Sequence, residues 1–145
     1  MNKKTAMLIN GQRMKRLYEK QFEETRMRYQ ISQSELDILA FLANNPEFDT
    51  ASDIVEIRMI AKSYVSTSVE SLITKGLLER VPDQNDRRVI HLKLTEKTTP
   101  IVTDIKIGQE RVGKLLFAGM TNYEIGMFET LLEKIFNNAE SALEG

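Results

Sequence analysis

From Thr50 to Lys97 the apolar positions change period. Val65, Val69, Leu72 and Ile73 fall at i, i+4, i+7 and i+8 and make one stripe along a helix. Further on, Ile90, Leu92 and Leu94 alternate with Val89, His91 and Lys93, which is the period of a strand. Gly76 stands where a left-handed residue would end the helix, with Lys75 in the last turn, favourable for the helix dipole. Leu77 to Val81 reads as an outgoing strand, and Pro82 to Asp86 collects turn residues. Ahead of the stripe, Thr50-Ala51-Ser52-Asp53 is a cap signal for a short helix that buries Ile54, Val55 and Ile60. The segment predicts a short helix, a turn, a second helix and a hairpin with a charged tip.

The flanking segments read as helices. Met1 to Tyr29 contains no Pro and only Gly11, and Met7, Met14, Leu17, Tyr18 and Phe22 form an approximate stripe. That face is thin for a single long helix and predicts packing on another subunit as well as its own. Ser32-Gln33-Ser34-Glu35 is a capping box with Ile31 ahead of it as a staple residue. The helix it starts carries Leu36, Leu39, Ala40 and Ala43, widened by Ile38, Phe41 and Leu42, and Asn44-Asn45-Pro46 ends it. Beyond the hairpin, Thr98-Thr99-Pro100 fits an N-cap with Pro at the first helical position, and the helix runs to near Gly119. Thr121-Asn122-Tyr123-Glu124 is a further capping box. The last helix aligns Ile125, Phe128, Leu132, Ile135, Phe136, Ala139 and Leu143 on one face with no later element to cover it. Such a face predicts a docking surface. The expected fold class is mainly α (α+β), with N- and C-terminal helices forming a dimerisation lobe. The expected division is 1–30 for the N-terminal dimerisation helix, 31–98 for the central helices and hairpin, and 99–145 for helices completing the lobe.

The assignment of 31–98 as a DNA-binding domain rests on side-chain chemistry. Apart from its apolar stripe, the second helix carries Tyr64, Ser66, Thr67, Ser68, Ser71 and Thr74. Ser and Thr are mediocre helix formers because their hydroxyls compete for backbone hydrogen bonds. Short hydroxyl side chains suit a helix lying against phosphates and base edges, although a solvated face that drifted to Ser and Thr reads the same. The hairpin tip shifts the balance, since it carries Arg87 and Arg88. A helix-turn-helix followed by an arginine-bearing hairpin is a winged helix, whose second helix enters the major groove while the wing reaches phosphates or an adjacent minor groove. This reading assigns Lys62, Ser63, Tyr64, Ser66, Thr67, Ser68, Ser71 and Lys75 to the DNA face, together with Arg87 and Arg88 of the wing. Asp86 would brace an arginine. Arg58 would contact phosphate or, as is commoner for a lone arginine, pair with an acid. The seven methionines fit core filling better than an adaptable ligand pocket, and no pocket residue is assigned.

The ordered runs K-S-Y-V-S (Lys62 to Ser66), K-G-L-L (Lys75 to Leu78), R-x-x-D-x-x-D-R-R (Arg80, Asp83, Asp86 to Arg88) and L-x-L-T (Leu92 to Thr95) closely resemble the MarR family of bacterial transcriptional regulators. Weaker similarity extends along the helices on both sides. Ala61 stands where the family often has a capping Asp, with Ser63 as the substitute cap, and Thr98 stands where it often has Gly. The resemblance implies a homodimer whose recognition helices meet successive major grooves of a pseudo-palindrome in double-stranded DNA, with half-sites roughly 34–36 Å apart. Members commonly repress genes and release DNA when a small, often aromatic or phenolic, effector binds between the two lobes. The ligand shifts the population away from the DNA-competent spacing. The alternative from another class is a winged helix used for protein–protein contact, or a decoy without specific DNA binding. Neither needs a hydroxyl-rich helix together with paired wing arginines.

Composition narrows the field. At 145 residues the chain fits one domain, or a DNA-binding lobe fused to an assembly lobe. No apolar run reaches about 18 residues, so no membrane span is expected. Gly11-Gln12-Arg13 interrupts the apolar stretch behind the basic N-terminus, which predicts no signal peptide and a cytoplasmic protein. The absence of cysteine excludes a thiol sensor and a Cys-ligated zinc site. A single histidine excludes a His-rich metal site within one chain, and His91, on the outward parity of its strand, is expected to be exposed and without a role. No phosphate loop or Cys–His pair is present, so neither enzymatic activity nor a cofactor is expected. Thr50 to Thr98 holds eight basic against seven acidic residues, too little for a non-specific electrostatic binder. Binding would depend on a few positioned charges and on dimer symmetry. The distribution is uneven: Met1 to Tyr29 has eight basic against three acidic residues, and Gln30 to Asp49 has four acidic and none basic.

Overall fold

In a computed structural model describing residues Met1–Gly145, the elements follow as α1 (Lys3–Gln21), α2 (Glu23–Tyr29), α3 (Gln33–Asn44), α4 (Ala51–Arg58), α5 (Lys62–Thr74), β1 (Leu78–Pro82), β2 (Ile90–Leu94), a 3₁₀ turn (Glu96–Thr98), α6 (Thr99–Leu116) and α7 (Asn122–Glu144). The expected mainly helical winged helix-turn-helix is therefore the observed one. By internal contacts the chain divides into two compact units, residues 1–110 and 111–145.

In the first unit, the single helix expected over Met1 to Tyr29 is two helices. The break falls at Phe22 (φ −104°, ψ 4°), whose ring is fully buried. Phe22 lies 4.7 Å, centroid to centroid, from Tyr18. It also presses on the backbone of α6, where a Cβ built on Gly108 would stand 2.4 Å from Phe22 Cε1. Turning this ring into the core outweighs one interrupted helical turn. No residue of α1 is buried. α2 ends at Gln30 in the left-handed conformation (φ 53°).

The capping boxes at Ser32/Glu35 and Thr50/Asp53 are both formed. α3 is buried over most of its circumference, from Leu36 to Leu42 excepting Asp37, and α5 inserts Val65, Val69 and Leu72 beside it. α4 contributes Ile54 and closes at Met59, a left-handed non-glycine residue (φ 55°). Arg58 pairs with Asp37 at 3.5 Å, the commoner of its two expected roles. α5 starts at Ala61 without any side-chain cap, so Ser63 does not substitute for one. It stops as expected, with Gly76 at φ 75° and the Leu77 N–H donating to the Leu72 carbonyl at 2.9 Å.

The wing pairs β1 with β2 antiparallel, from Leu78↔Leu94 to Pro82↔Ile90, one residue later than expected for the first strand. Leu78 and Leu92 face the core. The following helix does not begin with Pro100 at its first position after a Thr cap; it begins one residue earlier, at Thr99. Thr98 closes the 3₁₀ turn, is buried, and donates its hydroxyl to the Thr95 carbonyl at 2.6 Å, which makes Pro100 the second residue of α6. Ile101 and Ile105 then enter the core.

In the second unit, Thr121 and Glu124 form the third capping box. Phe117 and Phe128 pack edge to face at 5.7 Å. Along α7, Phe128, Ile135, Phe136 and Leu143 of the apolar face expected from the sequence are exposed, and Leu131, outside that expected face, is exposed as well. No helix is long and apolar enough to cross a membrane.

Candidate nucleic-acid interface

Because Val65, Val69 and Leu72 fix one side of α5 in the core, helical geometry aims Lys62, Ser63, Tyr64, Ser66 and Thr67 outward. All five are exposed. The Thr67 hydroxyl donates to the Ser63 carbonyl at 2.9 Å, so toward solvent it presents a methyl group and acceptor lone pairs. Ser63, Tyr64 and Thr67 also share a groove of about 430 Å³ with Ser32 and Ser34 at the start of α3.

Ser68 and Ser71 line the same groove, but they and Lys75, all grouped with the DNA face by the sequence, are also tied to α3. Ser68 is buried, with its Oγ 2.8 Å from Ser34 Oγ. Ser71 donates to Glu35 Oε2 at 3.2 Å. Lys75 Nζ donates to Glu35 Oε2 and Oε1 at 2.9 and 3.0 Å and to the Gln30 carbonyl at 2.8 Å. Burial alone would raise the Glu35 carboxyl, but the Lys75 ammonium and the Ser32 N–H and hydroxyl outweigh it and hold the group below the usual glutamate range. Glu35 therefore caps α3 and anchors the end of α5 with the same carboxylate. The capping box revealed the first role; the second depends on residues 36 and 40 positions later in the chain.

The wing turn is organised by two aspartates. Asp83 Oδ2 accepts the N–H groups of Asn85 and Asp86 at 3.0 and 2.9 Å. Asp86 accepts the Arg88 backbone N–H and Nε at 3.0 and 3.1 Å through Oδ1, and Nη2 at 3.2 Å through Oδ2. Asp86 braces an arginine as expected, and the Arg88 guanidinium still projects into solvent. Arg87 is exposed as well. Arg80 pairs with Glu70, fastening β1 to the outer side of α5.

His91 departs from the expectation of an idle histidine. Its Nδ1 lies 2.7 Å from Asp49 Oδ1 and its Nε2 lies 2.8 Å from Asp83 Oδ1. Both carboxylates stabilise the charged ring and raise its pKa, Asp83 first and Asp49 second. The His91 interaction, together with the Asn85 and Asp86 N–H groups, holds the Asp83 carboxyl at about 2. The backbone runs alongside: Thr50 forms an isolated antiparallel bridge with His91, and the Leu92 N–H donates to the Asp49 carbonyl at 2.7 Å. Strand parity gave only the direction of the ring, because Asp49 is 42 residues away in sequence.

Residues 29–89 match the sequence model of the MarR family. The HTH-type transcriptional regulator PecS of Dickeya dadantii is 29% identical over an alignment of 103 residues, covering 68% of this chain and 62% of that protein. The match thus spans under two thirds of the length of that relative. A protein from Listeria monocytogenes, described as a MarR-family transcriptional regulator and solved in complex with a 26mer DNA, superposes with a TM-score of 0.79 at 19% identity, over 95% of this chain and 89% of its own. BpsR of Bordetella bronchiseptica, whose DNA binding is regulated by 6-hydroxynicotinic acid, gives a TM-score of 0.72 at 19% identity, with 92% of each chain covered. The central winged helix is thus similar in sequence to the MarR family model, and the fold is shared with such proteins along most of the chain.

Proposed function

We propose that the chain is a sequence-specific DNA-binding transcriptional regulator. It acts in the cytoplasm as a homodimer on a pseudo-palindromic operator, represses the genes it controls, and is released by a small aromatic or phenolic effector. The observation that carries this reading is the pairing of an exposed hydroxyl face on α5 with a braced wing. Lys62, Ser63, Tyr64, Ser66 and Thr67 are the residues for base edges and phosphates, and Arg87 and Arg88 are the wing contacts. Ser68, Ser71 and Lys75 serve the same interface by fixing the helix through Ser34 and Glu35. A solvated face with no partner would not need its last turn anchored to a nearly buried carboxylate.

The homodimer part is supported by the apolar surface left on α7 and by exposed Met7, Leu8 and Met14 on α1. Opposite net charges add to it: α1 carries six basic residues and one acidic, α7 five acidic and one basic. The DNA and effector parts draw on the Listeria complex and on BpsR, which are relatives in fold.

The test is binding of the purified protein to duplex DNA from upstream of its own gene, across a salt series, with sedimentation of the free protein. Saturable, sequence-dependent binding of one dimer, weakening as salt rises, is the expected result. A tight dimer with weak, sequence-blind binding would overturn the regulator reading in favour of a protein-interaction role.

A further inference from the structure

The imidazole of His91 stands between two carboxylates that belong to different parts of the winged helix. Asp49 lies in the α3–α4 loop, next to the Thr50 cap of α4, and Asp83 opens the wing turn. A neutral imidazole carries one N–H donor and one lone pair. With carboxylate oxygens at 2.7 and 2.8 Å from its two nitrogens, a neutral ring must aim its lone pair at one of them. Only the imidazolium donates to both.

Asp83 also gathers the N–H groups of Asn85 and Asp86, and Asp86 in turn holds Arg88. The ring is therefore the first link in a chain from the α3–α4 loop to the wing arginines. Around it, β1 opposes His91 with Val81, and the nearest charged pair on the sheet is Lys93 facing Glu79. Leu42 and Pro46 line the adjoining groove together with Asp49. The two aspartates are the charges in direct contact with the ring.

We propose that His91 is a positioning residue for the wing: its protonated ring straps the wing turn to the α3–α4 loop, and loss of that one proton loosens the tip bearing Arg87 and Arg88 and lowers affinity for DNA. The affinity half rests on the regulator reading above; the strap itself does not. The raised pKa of the ring, with its causes in Asp83 and Asp49, places the release on the alkaline side of the ordinary histidine range. Affinity is then full in mildly acidic solution and falls as pH rises through the folded value.

His91 is the only histidine in the chain, so its ring resonance can be followed by NMR without assignment ambiguity. In the intact protein the ring should titrate above the ordinary value of about 6.5, and the backbone amides from Asn85 to Val89 should shift with the same midpoint. Asp49→Asn and Asp83→Asn should each lower that midpoint. In a parallel measurement at fixed salt, duplex affinity should fall roughly tenfold for each unit by which DNA raises the midpoint of the ring. His91→Gln should bind more weakly and lose this pH dependence. Wing amides that ignore the ring titration would overturn the strap, and a His91→Gln profile parallel to wild type would overturn its link to affinity. No duplex binding at any pH would instead overturn the regulator reading and with it the affinity link, while the amide titration still decides the strap.

Discussion

The Lys75 ammonium meets both oxygens of the Glu35 carboxylate, at 2.9 and 3.0 Å, and so ties the last turn of α5 to the first turn of α3. The N-terminus of α5 has no comparable fastening, since Ala61 provides no cap. The recognition helix is held from its C-terminal end and by its apolar stripe. Its outward N-terminal half is left uncommitted.

Removing the ammonium should therefore be costly. Lys75→Met leaves a carboxylate whose side chain is 7% exposed without its counterion, while Lys75 itself is 35% exposed. Breaking a fully buried pair costs about 3–5 kcal/mol, and partial exposure of the lysine scales this to about 1–3. The pH dependence has a definite sign. The folded pKa of Glu35 lies below its ordinary value, so its contribution is present above the unfolded pKa and is lost as pH falls through the folded one. Denaturant unfolding at pH 6 and pH 3 should show a larger acid loss in wild type than in Lys75→Met.

Gly108→Ala should destabilise the fold although alanine favours helix by about 1 kcal/mol. The added methyl would stand 2.4 Å from Phe22 Cε1, and that ring is fully buried with the Tyr18 ring tilted against it. Overpacking of this kind costs about 1–3 kcal/mol. A lowered melting temperature, recovered in the double variant Gly108→Ala with Phe22→Leu, would confirm the clash.

Met59→Gly should act in the opposite direction. Met59 holds a left-handed conformation and its side chain is 75% exposed, so little packing is lost on truncation. Relief of an αL penalty of about 1–2 kcal/mol is partly offset by the greater freedom of glycine in the unfolded chain. A net gain of up to about 1 kcal/mol in chemical denaturation is expected.

On the regulator reading, Arg88→Ala abolishes operator binding and leaves the sedimentation of the free protein unchanged. Asp86 already orients that guanidinium, so its loss also loosens the turn. Arg87→Ala weakens binding less and should reduce the slope of log affinity against log salt by roughly one per lost phosphate contact.

Much of this architecture was legible because its signals are local. Each of the three capping boxes spans four residues, and the Gly76 stop and the alternation in β2 are read within a few positions. Features that need a distant partner escaped. The break at Phe22 depends on Gly108, the anchoring of Lys75 on Glu35, and the environment of His91 on Asp49. Ser68 looked equivalent to Ser66 and Thr67 in sequence, yet a partner on α3 draws it inward. The start of α6 was misplaced because Thr98 and Thr99 are equally good caps on paper, and a 3₁₀ turn separates their roles.

The break at Phe22 has a mechanical consequence. With 19 residues and no buried side chain, α1 is a rod about 28 Å long, clamped at one end by an aromatic ring. A tilt of about 5° at that root displaces the far tip by roughly 2.5 Å. Whatever grips the tip of α1 has leverage on the ring, and through it on the spot where α6 passes closest.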